Sequence, residues 1–142
     1  MLRSLMFAFA LLVGVAGARS EPVHVQMYKN PQCGCCEEYA KYLRQHGFKV
    51  TVTPSHNMSA ISRKNGVPER LAGCHTALVG GYVVEGHVPV GAINKLLTER
   101  PSIIGISLPG MPEGSPGMTG VKEGPFQIME ITNGPDKVFA VE

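Results

Sequence analysis

Three of the four cysteines of this 142-residue chain, Cys33, Cys35 and Cys36, fall within four positions between a predicted strand and a predicted helix. A disulfide stabilises a fold mainly by closing a long loop in the unfolded chain, and pairs inside this run close almost none. Pairing one of the three with Cys74 would leave two cysteines unexplained. The cluster therefore indicates redox chemistry or a soft metal ion rather than a purely structural crosslink.

The first twenty residues have the pattern of a secretory signal peptide. A short positive segment at 1–3 is followed by an apolar run at 5–15 and by small residues at 16–18. This apolar run is short for a membrane-spanning helix, which needs ~20 residues. We expect residues 1–20 to be cleaved, so that residues 21–142 form a single exported domain with no membrane span.

The charged residues nearly balance, with 13 Lys and Arg against 11 Asp and Glu, and neither sign forms a long block. Nucleic-acid binding through a basic patch therefore has no support. An exported chain meets both oxidants and extracytoplasmic metals, so its free thiols tend to pair, bind metal or take part in exchange.

Hydrophobic periodicity predicts an α/β fold in which a βαβ unit is followed by a ββα unit. The predicted elements are strands at 23–28, 48–53, 76–79 and 82–85, helices at 36–46, 58–64 and 90–100, a Pro/Gly-rich arm at 108–120, and a C-terminal β-hairpin with strands at 126–131 and 137–141. The crossover between the first two strands is long enough to make them parallel.

Cys33 and Cys36 form a Cys-x-x-Cys pair on the loop after the first strand, which resembles the thioredoxin superfamily. Thioredoxins carry a cis-proline just before the third strand, where this chain has Cys74-His75-Thr76 instead. The resemblance implies a thioredoxin-like fold in which Cys74 and His75 face the cysteine cluster across a small gap.

Two kinds of chemistry fit these residues. A helix N-terminus favours the thiolate, which makes Cys33 the candidate nucleophile of a dithiol mechanism and Cys36 its resolving partner. Four thiolates with one or two imidazoles are, by contrast, a soft donor set suited to Cu(I), with Zn(II) or an iron–sulfur cluster as competitors. Cys35 has a role only in the second. Because adjacent side chains point apart, the run suits bridging of several ions better than enclosing one.

Four separate motifs add a more specific resemblance. They are Cys33-Gly34-Cys35-Cys36, Cys74-His75-Thr76-Ala77, the segment GYVVEGHVP at 81–89 and the segment PGMPEGSPGM at 109–118. These motifs resemble those of the CopG-type copper-resistance proteins of the bacterial envelope. The resemblance implies a periplasmic protein whose four cysteines hold a multinuclear, thiolate-bridged copper centre, and a role in interconverting Cu(I) and Cu(II).

The leading interpretation is a copper-resistance protein that binds several copper ions and cycles their oxidation state or sequesters them. Its predicted metal ligands are Cys33, Cys35, Cys36, Cys74, His75 and His87, with Cys33 and Cys36 as the catalytic pair if the chain is an enzyme. The alternatives are a metal-free thiol–disulfide oxidoreductase and a passive carrier that passes Cu(I) to a periplasmic efflux or carrier protein. Met111 and Met118 are either further soft ligands or apolar anchors of the arm.

Overall fold

The computed structural model describes residues 21–142, so the predicted signal peptide lies outside the described residues. The elements are β1 (His24–Lys29), α1 (Gly34–Gln45), β2 (Lys49–Pro54), α2 (Met58–Lys64), a 3-10 turn (Glu69–Leu71), β3 (His75–Val79), β4 (Tyr82–Gly86), α3 (Val90–Glu99), β5 (Gly105–Leu108), β6 (Gln127–Ile131) and β7 (Val138–Val141). Within residues 21–142, no helix is both long enough and apolar enough to cross a membrane.

The strands form one mixed sheet in the order β2-β1-β3-β4-β5-β6-β7. β1 and β2 are parallel and are joined by α1, while β3 and β4 form an antiparallel hairpin that leads into α3. The predicted α/β class, with a βαβ unit followed by a ββα unit, is therefore confirmed. The predicted C-terminal hairpin is also present, because β6 and β7 pair antiparallel.

One strand, β5, was not predicted from the sequence. It pairs parallel with β4 and antiparallel with β6, and its four residues are all buried. A strand covered on both faces lacks the alternating pattern that reveals a half-buried strand. Its first residue is Gly105, where any Cβ would collide with the carbonyl oxygen of Val83. β5 attaches the C-terminal hairpin to the rest of the sheet.

The two faces of the sheet carry separate hydrophobic cores, because side chains alternate between faces along each strand. The larger core lies under α1 and α3 and includes Tyr39, Leu43, Ile93 and Leu96 from the helices and Val25, Met27, Ile106 and Ile128 from the strands. The smaller core on the other face comprises Val67, Leu71, Val83 and Ile131. Each large buried side chain contributes about 1.5–3 kcal/mol, so apolar packing fixes α1 and the loop before it against the sheet.

Candidate metal centre

The cysteine run lies where the chain leaves β1 and enters α1. The backbone N–H of Cys33 donates to the carbonyl of Asn30 at 3.0 Å, which closes a turn and makes Cys33 the N-cap of the helix. α1 consequently begins at Gly34, ahead of the predicted start at Cys36. Cys36 is fully buried in the core, whereas Cys33 and Cys35 are half-buried. The run therefore extends from the core to the surface.

Cys33 and Cys36 form a disulfide, and Cys35 and Cys74 are free. The Sγ of Cys35 lies 3.4 Å from the Sγ of Cys33, and the Sγ of Cys74 lies 3.3 Å from the Sγ of Cys36. Each free thiol thus contacts one sulfur of the disulfide. A site with four thiolate ligands can form only after this disulfide has been reduced.

Cys74 reaches the cluster because β3 begins beside the end of β1. The two strands are antiparallel, with Lys29 opposite His75. The preceding residue, Gly73, fits closely: a Cβ there would lie 2.9 Å from the Cα of Gly86. Its backbone N–H donates to Oε1 of the buried Glu85 at 2.8 Å. This carboxylate therefore holds the segment that presents Cys74.

His87 follows β4 and points back at Cys74. Its Nε2 lies 3.2 Å from the Sγ of Cys74, and its Nδ1 lies 2.6 Å from the carbonyl oxygen of Pro116 in the arm. A carbonyl can only accept, so Nδ1 carries the proton and Nε2 presents a lone pair to the sulfur. The arm thus sets the tautomer in which His87 can act as a metal ligand.

His75 is fully buried and sits between Cys74 and an aromatic ring. Its Nδ1 lies 3.5 Å from the Sγ of Cys74, and its ring stacks on Tyr39 with the ring centroids 4.7 Å apart. Its Nε2 is buried and has no hydrogen-bond partner among residues 21–142. The ring nitrogen next to the sulfur is Nδ1, so this atom is the one that could bind a metal together with Cys74.

Burial shifts the pKa values of His75, His87 and Cys74. Desolvation, followed by the neighbouring His87, lowers the pKa of His75 to about 3. Burial also lowers the pKa of His87. The pKa of Cys74 is raised, first by burial and then by the nearby Cys35. Both imidazoles are therefore neutral and able to bind metal, while the Cys74 thiol must release its proton when it does so.

The donor atoms form two overlapping groups, and within each group every donor atom lies within 4.8 Å of the others. One group holds the sulfurs of Cys33, Cys35, Cys36 and Cys74, and the other holds Cys36 and Cys74 with His75 and His87. The structure thus brings together all six residues that the sequence singled out. Thiolate and neutral imidazole ligands in this number suit Cu(I) and related soft ions.

The Pro/Gly-rich arm packs over this site. Gly117 lies against the first turns of α1, so closely that a Cβ would be 2.6 Å from the backbone nitrogen of Tyr39. Met111 is 39% exposed and adopts a positive φ of 47°, whereas Met118 is half-buried. The two roles predicted for these methionines, soft metal ligands or apolar anchors of the arm, stay predictions.

Three residues around the site were missed in the sequence. Tyr39 stacks on His75, and its hydroxyl donates to the carbonyl of Val88 at 2.7 Å. Lys29 and Glu85 are buried ionisable residues that hold the segments carrying Cys33 and Cys74. A signal for Lys29 was present, because the alternation of β1 places it on the same inward face as Val25 and Met27.

Fold and site together define the class: an α/β protein with a sulfur-rich candidate metal site at the start of α1. Two solved structures, "Copper resistance protein copG- Form 2" and "Copper resistance protein copG- Form 1", are each 40% identical to the chain. The first covers 86% of this chain and 99% of its own with a TM-score of 0.79, and the second covers 86% and 98% with a TM-score of 0.78.

A family model described as "Protein of unknown function, DUF411" matches residues 71–118. That range contains Cys74, His75, His87 and most of the arm. No curated protein matches the chain significantly. The identity and coverage of the two solved structures show that the chain belongs to the copper resistance protein CopG family.

Proposed function

We propose that this protein binds copper outside the cytoplasm and interconverts Cu(I) and Cu(II), with Cys33, Cys35, Cys36, Cys74, His75 and His87 as ligands. The observation that carries the proposal is the convergence of four sulfurs and two neutral imidazoles in two overlapping donor groups. Soft sulfur donors favour Cu(I), and imidazole nitrogens also accept Cu(II). A site that contains both can hold either oxidation state.

The protein binds more than one copper ion in this proposal. Cys36 and Cys74 belong to both donor groups, which supports a bridging role for each of their sulfurs between two ions. The two groups together offer six donor residues, whereas one tetrahedral ion takes four. Several thiolate-bridged ions satisfy these positions better than one tetrahedral ion does.

The Cys33–Cys36 pair supplies the electrons. When two Cu(II) ions meet the reduced pair, each ion accepts one electron, the two thiols release two protons, and the disulfide forms. In the reverse direction two Cu(I) ions give up two electrons, and the disulfide takes up two protons. Repeated reduction of Cu(II) needs an external thiol that restores the dithiol by exchange.

A second function is favoured by one observation, the disulfide between Cys33 and Cys36. A metal-free thiol–disulfide oxidoreductase would use the same pair, with Cys33 as nucleophile and Cys36 as resolving residue. That function requires turnover of a disulfide substrate under strict chelation, and it tolerates the loss of Cys35 and Cys74. The copper proposal requires copper for its activity and does not tolerate the loss of Cys35 and Cys74.

The periplasm is the proposed location, with residues 1–20 as a cleaved signal peptide and residues 21–142 as the mature protein. Direct transfer of thiolate-bound Cu(I) from one protein to another avoids the release of the free ion. The proposed partner is accordingly a periplasmic copper efflux or carrier protein that accepts the ion from the exposed side of the cysteine run.

Copper stoichiometry tests the binding proposal. The protein is reduced, loaded with Cu(I) without oxygen, and analysed for copper per chain and by X-ray absorption. We expect more than one copper per chain, mainly sulfur ligands and a short copper–copper distance, with less copper in Cys35→Ser. A stoichiometry below one that is unchanged in Cys35→Ser would overturn the proposal.

Electron counting tests the redox proposal. Reduced, metal-free protein is mixed with Cu(II), and Cu(I) is quantified with a chromogenic chelator while the remaining thiols are counted by alkylation. We expect one thiol lost for each Cu(I) formed, with the new disulfide at Cys33–Cys36. Cys36→Ser is expected to lose this coupled step. If Cu(II) binds with no loss of thiols, the redox role is refuted and the protein acts only as a copper carrier.

A further inference from the structure

Lys29 is a buried lysine directly behind the cysteine run. It is the last residue of β1, and the alternation of the strand turns its side chain inward, where the residue is only 2% exposed. Lysine is almost never fully buried unless its charge is paired, because removing an ammonium group from water is expensive. A buried lysine at this position therefore requires a specific compensating environment.

The loop that carries Cys33 provides this environment. The ammonium group donates to the carbonyl oxygens of Asn30, Pro31 and Cys33 at 3.2, 3.3 and 3.4 Å. It also forms an ion pair with Oε1 of Glu37, in the first turn of α1, at 2.9 Å. The loop between β1 and α1 thus wraps around a single positive charge.

The charge of Lys29 is only partly offset. The Lys29 side chain is 3% exposed, but that of Glu37 is 51% exposed and remains solvated. Water screens the carboxylate far more than it screens the ammonium group. Lys29 therefore holds a buried positive charge against the backbone carbonyl of Cys33, on the same side as the N-terminus of α1.

We propose that Lys29 is a positioning residue whose buried charge favours the reduced, copper-holding form of the Cys33–Cys36 pair over the disulfide. The inference rests on the proposed function, in which this pair is the redox couple. A disulfide carries no charge, whereas the reduced sulfurs are negative as thiolates, with or without bound copper. A nearby fixed cation stabilises only the second state. Stabilising the reduced form makes the disulfide a stronger oxidant.

A purely structural role makes a different prediction. If Lys29 served only to satisfy the loop carbonyls, Lys29→Gln would keep N–H donors at the position and leave the redox equilibrium in place. Glu37→Gln would then have no effect either. If the charge matters, the two substitutions act in opposite directions, because one removes the cation and the other removes its counter-charge.

The test uses metal-free full-length protein equilibrated with glutathione redox buffers at alkaline pH, where thiols ionise, with the Cys33–Cys36 disulfide quantified by alkylation and mass spectrometry. For Lys29→Gln we expect a shift toward the disulfide on the order of tenfold, equivalent to about 30 mV. For Glu37→Gln we expect a shift of a few-fold toward the dithiol. Lys29→Arg, which keeps the charge, is expected to restore most of the wild-type equilibrium.

Lys41 and Glu38 provide matched controls. They form an exposed ion pair on the same helix, with side chains 61% and 56% exposed. Lys41→Gln and Glu38→Gln are expected to leave the equilibrium within about twofold of wild type. Shifts of the same sign in Lys29→Gln and Glu37→Gln, or no shift in either, would overturn the inference.

Two further comparisons keep the outcome interpretable. If Lys29→Gln does not fold, the comparison of Glu37→Gln with Glu38→Gln decides, because both of these positions are exposed. A shift toward the dithiol in Glu37→Gln, but not in Glu38→Gln, supports the inference. The absence of a shift in Glu37→Gln refutes it. The readout contains no copper, so a failure of the wild-type protein to bind copper refutes the proposed function without changing these equilibria.

Discussion

The arm meets α1 at Gly117, and the contact leaves no room for a side chain. Gly117 has a φ of +82°, and a Cβ there would lie 2.6 Å from the backbone nitrogen of Tyr39 and 3.0 Å from the carbonyl oxygen of Cys35. The adjacent Pro116 carbonyl accepts the proton of His87 Nδ1. We predict that Gly117→Ala lifts the arm from α1 and removes this hydrogen bond from His87.

Gly110 in the same arm is a matched control. Its φ of +81° is almost identical, but a Cβ there would have nothing within 4 Å. Gly110→Ala therefore carries only the left-handed backbone cost of ~1–2 kcal/mol. Gly117→Ala adds an overpacking cost of ~1–3 kcal/mol, because the opposing atoms are backbone and cannot move aside. The loss of the partner of a metal-binding histidine lowers metal affinity by about 10–100-fold.

The assay pairs chemical denaturation with Cu(I) affinity, measured by competition with a chelator on reduced protein. We expect both variants to be destabilised, Gly117→Ala more than Gly110→Ala, and only Gly117→Ala to lose copper affinity. Equal stability and equal affinity in the two variants would refute the docking of the arm on α1. Lower stability with unchanged affinity would show that Pro116 does not orient His87.

Two further predictions concern the fold around the site. Tyr39→Phe leaves the buried Val88 carbonyl without the hydroxyl that donates to it at 2.7 Å, so we expect a loss of about 1–3 kcal/mol in the free energy of unfolding; denaturation at wild-type stability would contradict this. Gly105→Ala forces β5 away from Val83 of β4, so we expect a loss of at least about 3 kcal/mol or no folded protein. Gly124→Ala, where a Cβ has nothing within 4 Å, is the control and should melt like wild type.

Local signals were sufficient to predict much of the fold. The predicted helix at 58–64 matches α2, because Asn57 caps it by accepting from the backbone N–H of Ala60 and Gly66 follows it with a positive φ of 79°. The hairpin of β3 and β4 turns at Gly80 and Gly81, which both have positive φ. Each of these features depends on residues close together in the chain, so the sequence pattern contains them.

The errors have a common physical cause, which is dependence on distant partners. β5 is a strand only because β4 and β6 cover its edges, and its four residues carry no pattern of their own. Similarly, Leu97 lies one helical turn after the buried Ile93 but is only half-buried, because the packing of α3 on the sheet decides the width of its buried face. Neither outcome is encoded in local periodicity.

The site was predicted at the level of residue types but not of the contacts that support it. The chemistry of thiols and imidazoles singled out the six candidate ligands, and the order of strands brought Cys74 to the run at 33–36. The proton position of His87 depends on a backbone carbonyl of Pro116, 29 residues away. A backbone acceptor has no signature in the sequence, so this contact needed the three-dimensional structure.

The surplus Cys35 and Cys74 are what separate a copper oxidoreductase from an ordinary dithiol protein under the proposed function. When Cys33 and Cys36 give up two electrons, they become a disulfide and cease to be thiolate ligands. A protein with only these two cysteines would release its copper at the moment of electron transfer. Here two free thiols remain, one beside each sulfur of the disulfide at 3.4 and 3.3 Å, and both imidazoles are unchanged. The oxidised site therefore keeps the Cys74 sulfur in one donor group with both imidazoles, and the Cys35 sulfur in the group that it shares with Cys74, so that under this proposal copper retains ligands through the redox step.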